Sequence, residues 1–294
     1  MGIDTHGFNF LRFAQGFGPL GKTVTLGRQW VALNAAAQTR LLGLKDESQA
    51  YTGFCEDMLK QHFGATAVDS LDVSAYEGAS ILQDMNQPLG ADLASRFDTV
   101  IEYGTIEHVF DIAQALRNVA RLCKAPGGQI LHAQIANNFC GHGFWQLSPE
   151  LFYSLYSPEN GFADTEIFLA ELGNSARWYR IRRPPPGQRL NIMSEDRLYV
   201  LVRTVRAELR DTFSVFQSDY VSQWQSGKNE EGFKPWLNMA QQATAPGPWQ
   251  SAGLKHPNLE AVPVAPLIAK VRMKPGSASD QVPPPTVAPG TPSG

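Results

Sequence analysis

The residues best suited to chemistry stand at the ends of short apolar runs. Thr25-Leu26-Gly27-Arg28-Gln29 closes the first run. A glycine there lets a ligand approach the backbone, and the amides of a following helix can face a negative group. An ordinary strand-to-helix turn would read the same way. Ser70-Leu71-Asp72-Val73-Ser74 closes the second run. An acidic side chain at that point commonly grips the hydroxyls of a ribose, although a solvated loop aspartate or a helix cap is the plain alternative. Gln83-Asp84-Met85-Asn86 closes the third. Asp84 could accept from an adenine amino group while Met85 packs on the ring; Asp and Asn also favour simple turns. The repetition of these signals at successive run ends, in order, says more than any one of them.

The most informative stretch is Phe97 to Pro149. Thr99–Ile101 reads as a buried strand, helical spacing follows from about Asp111 to Lys124, and a Pro126-Gly127-Gly128 turn leads to a strand at Gln129–Ala133. Strand, helix, strand is a βαβ unit of a parallel sheet. Ligands bind such sheets just beyond the carboxyl ends of the strands. Those ends carry Glu102, Tyr103, Gly104 and Thr105, and then Asn137, Asn138 and His142. His142 lies between Gly141 and Gly143, so its ring could reach into a cleft and accept a proton from a hydroxyl or amine. The same glycines would also suit a tight turn that His142 merely caps. Phe144 and Trp145 read as packing, with Trp145 kept as a substrate-side candidate beside Asn137 and Asn138.

Glu107-His108 invites a metal reading, but adjacent helical positions diverge, and His132 with His142 has no recognisable ligand spacing. The expectation is no metal. The chain contains neither a G-x-G-x-x-G fingerprint nor a G-x-S-x-G elbow, which argues against a simple dinucleotide site and against a serine hydrolase.

These candidates need elements to hold them. Strands are expected at Lys22–Leu26, Ala65–Leu71, Ala79–Leu82, Phe162–Leu172 and Arg197–Val205, the last two pairing as an antiparallel edge. Helices are expected at Gln29–Leu44, at Glu47–Phe63 with Gly64 as its stop, and from Ser148-Pro149-Glu150, where Ser suits the cap and Pro the first turn. Tyr153 and Tyr156 on that helix should face the core. Arg182–Arg189 is a proline-rich loop, and Phe213–Trp224 hints at a helix. Residues 1 to 21 show no clear period and read as an extension. A domain at 22–205, with a helical insertion at about 29–64, is followed by a second extension at 206–273. Residues 275–294 hold six Pro and three Gly and should be disordered.

The chain has 294 residues, 43% hydrophobic and 18% charged, with a net charge of −3. One domain with additions fits that length. Nothing favours bulk nucleic-acid binding. Three well-separated cysteines, without CxxC spacing, suggest a reduced compartment. Neither a signal-peptide pattern nor an apolar run of about 20 residues is present. A cytoplasmic protein without membrane attachment is expected, with a homodimer left open.

Taken together, TLGRQ, SLDVS, ILQDMN and FDTVIEYGTIEHVF followed by APGG resemble the class I S-adenosylmethionine-dependent methyltransferases, of the type 11/12 kind, over roughly Lys22 to Val205. The resemblance implies a three-layer Rossmann-like α/β fold, with a mainly parallel seven-stranded sheet and an antiparallel edge. It implies S-adenosyl-L-methionine as cofactor. Gly27, with Arg28 and Gln29, would sit by the methionine part, Asp72 with Ser74 by the ribose, and Asp84 with Met85 by the adenine. Glu102 to Thr105 would line the methyl side, with His108 near the cofactor and His142 as base toward a small-molecule or sugar-like acceptor. The glycine loop is reduced to Gly27, and Gly27 to Asp72 is far longer than a ~20-residue step. The excess implies an inserted lid or a dimer contact. A non-catalytic binding protein of the same fold, or intramolecular cyclisation of the donor, are the alternatives.

Overall fold

The computed structural model describes residues 2–185, 190, 192, 194–210, 212–217, 220–221, 224–225 and 258–269. In chain order the elements are β1 (Gly2–Ile3), α1 (Thr5–Gln15), β2 (Gly21–Leu26), β3 (Trp30–Val31), α2 (Ala35–Leu42), α3 (Glu56–Phe63), β4 (Ala65–Asp72) and β5 (Ile81–Leu82). They continue with β6 (Thr99–Tyr103), α4 (Ile112–Leu122), β7 (Gln129–Asn137), α5 (Pro149–Leu155), β8 (Phe162–Glu171), β9 (Arg177–Ile181), β10 (Leu198–Arg206), β11 (Leu259–Pro263) and α6 (Val264–Ile268). Single 3-10 turns lie at Glu47–Gln49, Ala91–Leu93, Ile106–His108 and Pro158–Asn160.

Nine strands form one sheet in the order β11-β9-β8-β10-β7-β6-β2-β4-β5. β7, β6, β2, β4 and β5 run parallel. β10, β8, β9 and β11 continue the sheet antiparallel. Helices cover both faces, which makes three layers. α4 and α5 pack on one face, around Leu116, Val119, Phe152 and Leu155. α1, α3 and α6 pack on the other, around Phe8, Leu11, Leu59 and Val264. The Rossmann-like α/β fold is therefore present, widened from the expected seven strands to nine. The antiparallel part is also larger than an edge, because β9 and β11 extend the pair formed by β8 and β10.

Local chemistry explains the central elements. All five residues of β6 are buried, as expected of a strand covered on both faces. α4 starts where the Asp111 side chain accepts from the Gln114 amide at 2.9 Å, a standard N-terminal cap. It buries Ala115, Leu116, Val119 and Leu122 along one stripe.

Several expectations shift. Residues 1 to 21 are not an appendage: α1 buries His6 through Leu11, Phe13 and Ala14. A helix enclosed on nearly every side has no polar face, so its sequence shows no amphipathic period. The expected helix at Gln29–Leu44 shrinks to Ala35–Leu42, because Trp30-Val31 instead pairs in parallel with Gly2-Ile3. Asn34 then caps the shortened helix through the Ala37 amide at 2.8 Å. The Glu47–Phe63 helix is interrupted, and only Glu56–Phe63 is α-helical, ending at Gly64 with φ 70°. Tyr153 and Tyr156 are buried as expected. The loop residues 186–189 and the tail from 275 onward lie outside the described residues. Of the helix expected at Phe213–Trp224, residues 213–217 are irregular and 220–221 and 224 are helical, with 218–219 and 222–223 outside the described residues.

Phe10 is fully buried, with ring centroids 5.7 Å from Phe13 and 5.8 Å from Trp178. Phe10→Ala should cost about 3–5 kcal/mol in urea unfolding, the usual penalty for emptying a large core site. Burial also pushes the Cys55 and Cys123 thiols up to about 12, while Cys140 is exposed. Thiol labelling of the native protein at pH 8 should modify Cys140 alone, and all three cysteines only after unfolding. Native labelling of Cys55 or Cys123 would contradict this core.

Candidate functional site

The chain visits β2, moves outward through β4 to β5, and then returns to lay β6 on the other side of β2. The carboxyl ends of β2 and β6 therefore flank the topological switch point, where open α/β sheets leave a crevice. Both strands are followed by a glycine in the left-handed region, Gly27 at φ 65° and Gly104 at φ 76°. Thr105 closes the gap between the two ends: its Oγ1 donates to the Leu26 carbonyl at 2.7 Å.

Glu102 holds the turn that follows β6. It is fully buried. Its Oε1 accepts from the Thr105 and Ile106 amides at 2.8 and 3.1 Å. Its Oε2 accepts from Gln134 Nε2 at 2.5 Å and pairs with His132 Nδ1 at 2.8 Å. A carboxylate only accepts, so His132 carries its proton on Nδ1, and Nε2 accepts from the Tyr156 hydroxyl at 2.6 Å. Glu102 thus braces the rim from within rather than facing the crevice. β6 and β7 are in register so that Glu102 lies beside His132, and both stand three residues after their strand starts. That equal offset was the available signal for the pair.

The other sequence candidates fall as follows. Arg28 stacks over Phe54 with 4.0 Å to the ring centre, bonds Glu56 at 2.6 Å and donates to the Glu77 carbonyl at 2.8 Å. It is spent on the protein itself. Gln29 is fully buried and donates to the Leu26 carbonyl at 2.8 Å, so it supports the Gly27 turn from beneath. Asp72 is half-buried at the end of β4, and its Oδ1 accepts from the Ser74 amide at 3.0 Å. Ser74 is exposed. Asp84 turns its Oδ1 to the backbone and side-chain amides of Asn86, at 2.9 and 2.8 Å. Met85 is buried, and its carbonyl accepts from Asn118 at 3.2 Å. Gly27, Asp72, Asp84 and Gly104 therefore do share one rim of the sheet.

A cavity of about 190 Å³ adjoins the Gly104 end of that rim. Tyr103, Gly104, Glu107 and His142 border it, together with Asp4, Gly7 and Tyr199. Sequence reasoning missed the last three. Asp4 caps α1 by accepting from Gly7 at 2.8 Å, and an added Cβ at Gly7 would stand 3.0 Å from the Tyr103 ring. The capping pattern Asp4-Thr5-His6-Gly7 was the one readable sign of this helix start.

The loop after β7 is fastened to the turn after β6. The Phe144 and Trp145 amides donate to the Glu107 carbonyl at 2.7 and 3.3 Å. Trp145 Nε1 donates to the Val109 carbonyl at 3.0 Å, so this indole anchors the loop. Gly143 has φ 71°, and a Cβ there would come within 2.8 Å of Glu107 Cγ. Asn137 ends β7, and Asn138 at φ 63° donates to the Ser194 and Asp196 carbonyls, both at 3.0 Å. These two asparagines pin the loop and stand apart from the cavity lining.

This fastening brings Glu107, His108 and His142 together. Ile106–His108 is a 3-10 turn rather than part of an α-helix, so the divergence argued for adjacent helical positions does not apply. Glu107 Oε1 lies 3.8 Å from His108 Nε2 and 3.5 Å from His142 Nε2. The two imidazoles are 5.0 Å apart, edge to face. Burial, followed by the Glu102 charge, pushes the Glu107 carboxyl up to about 8. Burial chiefly, and then His142, hold His108 below its ordinary value.

Two substitutions test this geometry. Glu102→Gln turns an acceptor into a donor against amide donors and should cost about 1–3 kcal/mol in urea unfolding. Gly143→Ala should displace the loop from Glu107, read as moved 139–146 density in a crystal structure. An unmoved loop would contradict the close approach.

No protein-family model matches the chain, and no curated protein matches it. Solved structures do. A Thermotoga maritima S-adenosylmethionine-dependent methyltransferase, described as a possible histamine N-methyltransferase, aligns at 16% identity over 69% of this chain and 91% of its own, with a TM-score of 0.34. A putative methyltransferase from Bacillus halodurans aligns at 13% identity over 68% of this chain and 99% of its own, TM-score 0.38. A Haemonchus contortus phosphoethanolamine N-methyltransferase, solved with phosphomonomethylethanolamine and S-adenosylhomocysteine, aligns at 12% identity over 68% of this chain, TM-score 0.38. The chain spans 52% of that protein's length. At such identities and scores these likenesses carry no statement about activity.

Proposed function

We propose that this protein is an S-adenosylmethionine-dependent methyltransferase acting on oxygen or nitrogen of a small-molecule or sugar-like acceptor. The observation that supports it most is the topological switch point, with left-handed Gly27 and Gly104 at the ends of the two strands that flank it and Asp72 at the end of the neighbouring strand. The glycines leave room for the methionine part of a donor against bare backbone. Asp72 would take the ribose hydroxyls, with Ser74 beside it. The Asp84-Met85 turn would take the adenine.

The sulfonium supplies an activated methyl group, so the protein's main task is alignment, with reacting atoms ~3–3.5 Å apart. Tyr103 and Gly104 border the adjoining cavity, which would receive the acceptor on the methyl side. Glu102 acts at one remove, by fixing the turn that carries Gly104 and Thr105. His142 borders the same cavity and is assigned to the acceptor side.

Asp72→Ala should weaken S-adenosylmethionine binding about ten- to a hundredfold in calorimetric titration, matching ~1.5–3 kcal/mol for a charged acceptor. Unchanged affinity would remove Asp72 from the site. His142→Ala should keep donor affinity and lose turnover. Mass analysis of the spent donor separates the chemistries. S-adenosylhomocysteine marks transfer, whereas methylthioadenosine would mark attack on the aminobutyrate chain and overturn the proposal. A wild-type protein that binds no donor would overturn it as well.

A further inference from the structure

Methyl transfer as proposed gives Glu107 no role, and the fold leaves it unsatisfied. Its carboxylate is fully buried, and neither oxygen makes a hydrogen bond of full geometry among the described residues, with the Gln134 side chain, which already donates to Glu102, as a polar neighbour. A bare buried carboxylate is costly, and proteins offset that cost with a partner cation or a proton. What faces it here is a pair of imidazole nitrogens. The three ligand atoms, one from each residue, lie within 4.8 Å of one another. Metal bonds from carboxylate oxygen or imidazole nitrogen are about 2.0–2.2 Å, which puts tetrahedral ligands about 3.4 Å apart. The Glu107 oxygen lies 3.5 Å from one imidazole nitrogen and 3.8 Å from the other. Small side-chain rotations would bring all three onto one ion.

We propose that Glu107, His108 and His142 bind one divalent first-row transition cation, of the Zn²⁺ or Fe²⁺ class. Two imidazoles and one carboxylate are a donor set for such ions, whereas Mg²⁺ and Ca²⁺ prefer all-oxygen shells. The histidine side chains are 45% and 49% exposed, so an ion can reach the buried carboxylate between them. Glu107 and His142 also border the cavity beside Tyr103 and Gly104, from which a coordination position left open by the protein would be reached. Asp4 adds a further acidic group to that lining.

The consequence for the reaction rests on the proposed function. An acceptor hydroxyl on the open position would lose its proton to solvent water more readily, because the cation would stabilise the alkoxide. The alkoxide oxygen would then bond the donor methyl while the carbon–sulfur bond breaks and the donor leaves as the neutral thioether. His142 then acts through the cation: its Nε2 lone pair is used in coordination and is not free to take a proton. An acceptor with a hydroxyl or carboxylate able to ligate is favoured over a simple amine.

The test is calorimetric titration of tag-free, chelator-treated protein with ZnCl₂ and separately with MgCl₂, in the absence of donor. One Zn²⁺ site is expected, with Mg²⁺ much weaker. His108→Ala and His142→Ala, both at exposed positions that leave the core intact, should each weaken Zn²⁺ binding on the order of tenfold or more. Glu107→Gln should abolish it, and Cys140→Ser should leave it unchanged. Thermal melts confirm folding of each variant. The proposal is overturned if wild type takes up no Zn²⁺, or if both histidine variants bind it as wild type does. S-adenosylmethionine affinity of Glu107→Gln and His142→Ala, measured alongside, should match wild type, so failure of the metal site is distinguishable from failure of the donor site.

Discussion

A carboxylate without water around it, Glu102, sets the shape of the rim. Removing an ionised group from solvent is expensive, and the cost is met only because four donors converge on it. Two of them are consecutive backbone amides of the turn after β6. The others come from β7, through His132 and Gln134. The turn therefore cannot relax without exposing a buried charge. Gly104, Thr105 and Glu107 inherit their positions from that constraint.

From there the rigidity spreads outward. Thr105 ties the β6 turn to the end of β2, which fixes the spacing of the two strand ends at the switch point. The Glu107 carbonyl receives the loop after β7, which fixes where His142 stands. His132 passes the brace on to Tyr156 beyond α5, so a polar chain links the rim to the opposite helical layer. Polar groups inside a core are costly unless fully paired, and this chain is paired from end to end.

The sequence was most legible where one physical rule dominated. Continuous apolar runs gave β2, β4, β6 and β7, and their order gave the parallel half of the sheet with Gly27, Asp72, Asp84 and Gly104 along one rim. It was least legible where tertiary contacts overrode local pattern. α1 is enclosed on nearly all sides, so it carries no period to read. Trp30-Val31 looks helical in isolation and becomes a strand only because Gly2-Ile3 lies beside it. β9 and β11 carry charged residues, Arg177, Arg180 and Glu260, that break any apolar run. Within the site, Glu102 and Glu107 sit five residues apart on one short stretch, yet one is saturated with donors and the other makes no hydrogen bond of full geometry among the described residues. Glu102 is on the strand beside His132 and Glu107 is in the turn beyond it, and no residue-by-residue reading supplies that contrast.

The fastening of the β7 loop to the Glu107 carbonyl also bears on kinetic order. A loop hung from the turn beside the switch point moves with that turn unless its two backbone hydrogen bonds break. Under the proposed chemistry, arrival and departure of the two reactants are then not independent events. Entry of an acceptor beside His142 and the shape of the turn that carries Gly104 would then be linked, because one hydrogen-bonded seam serves both.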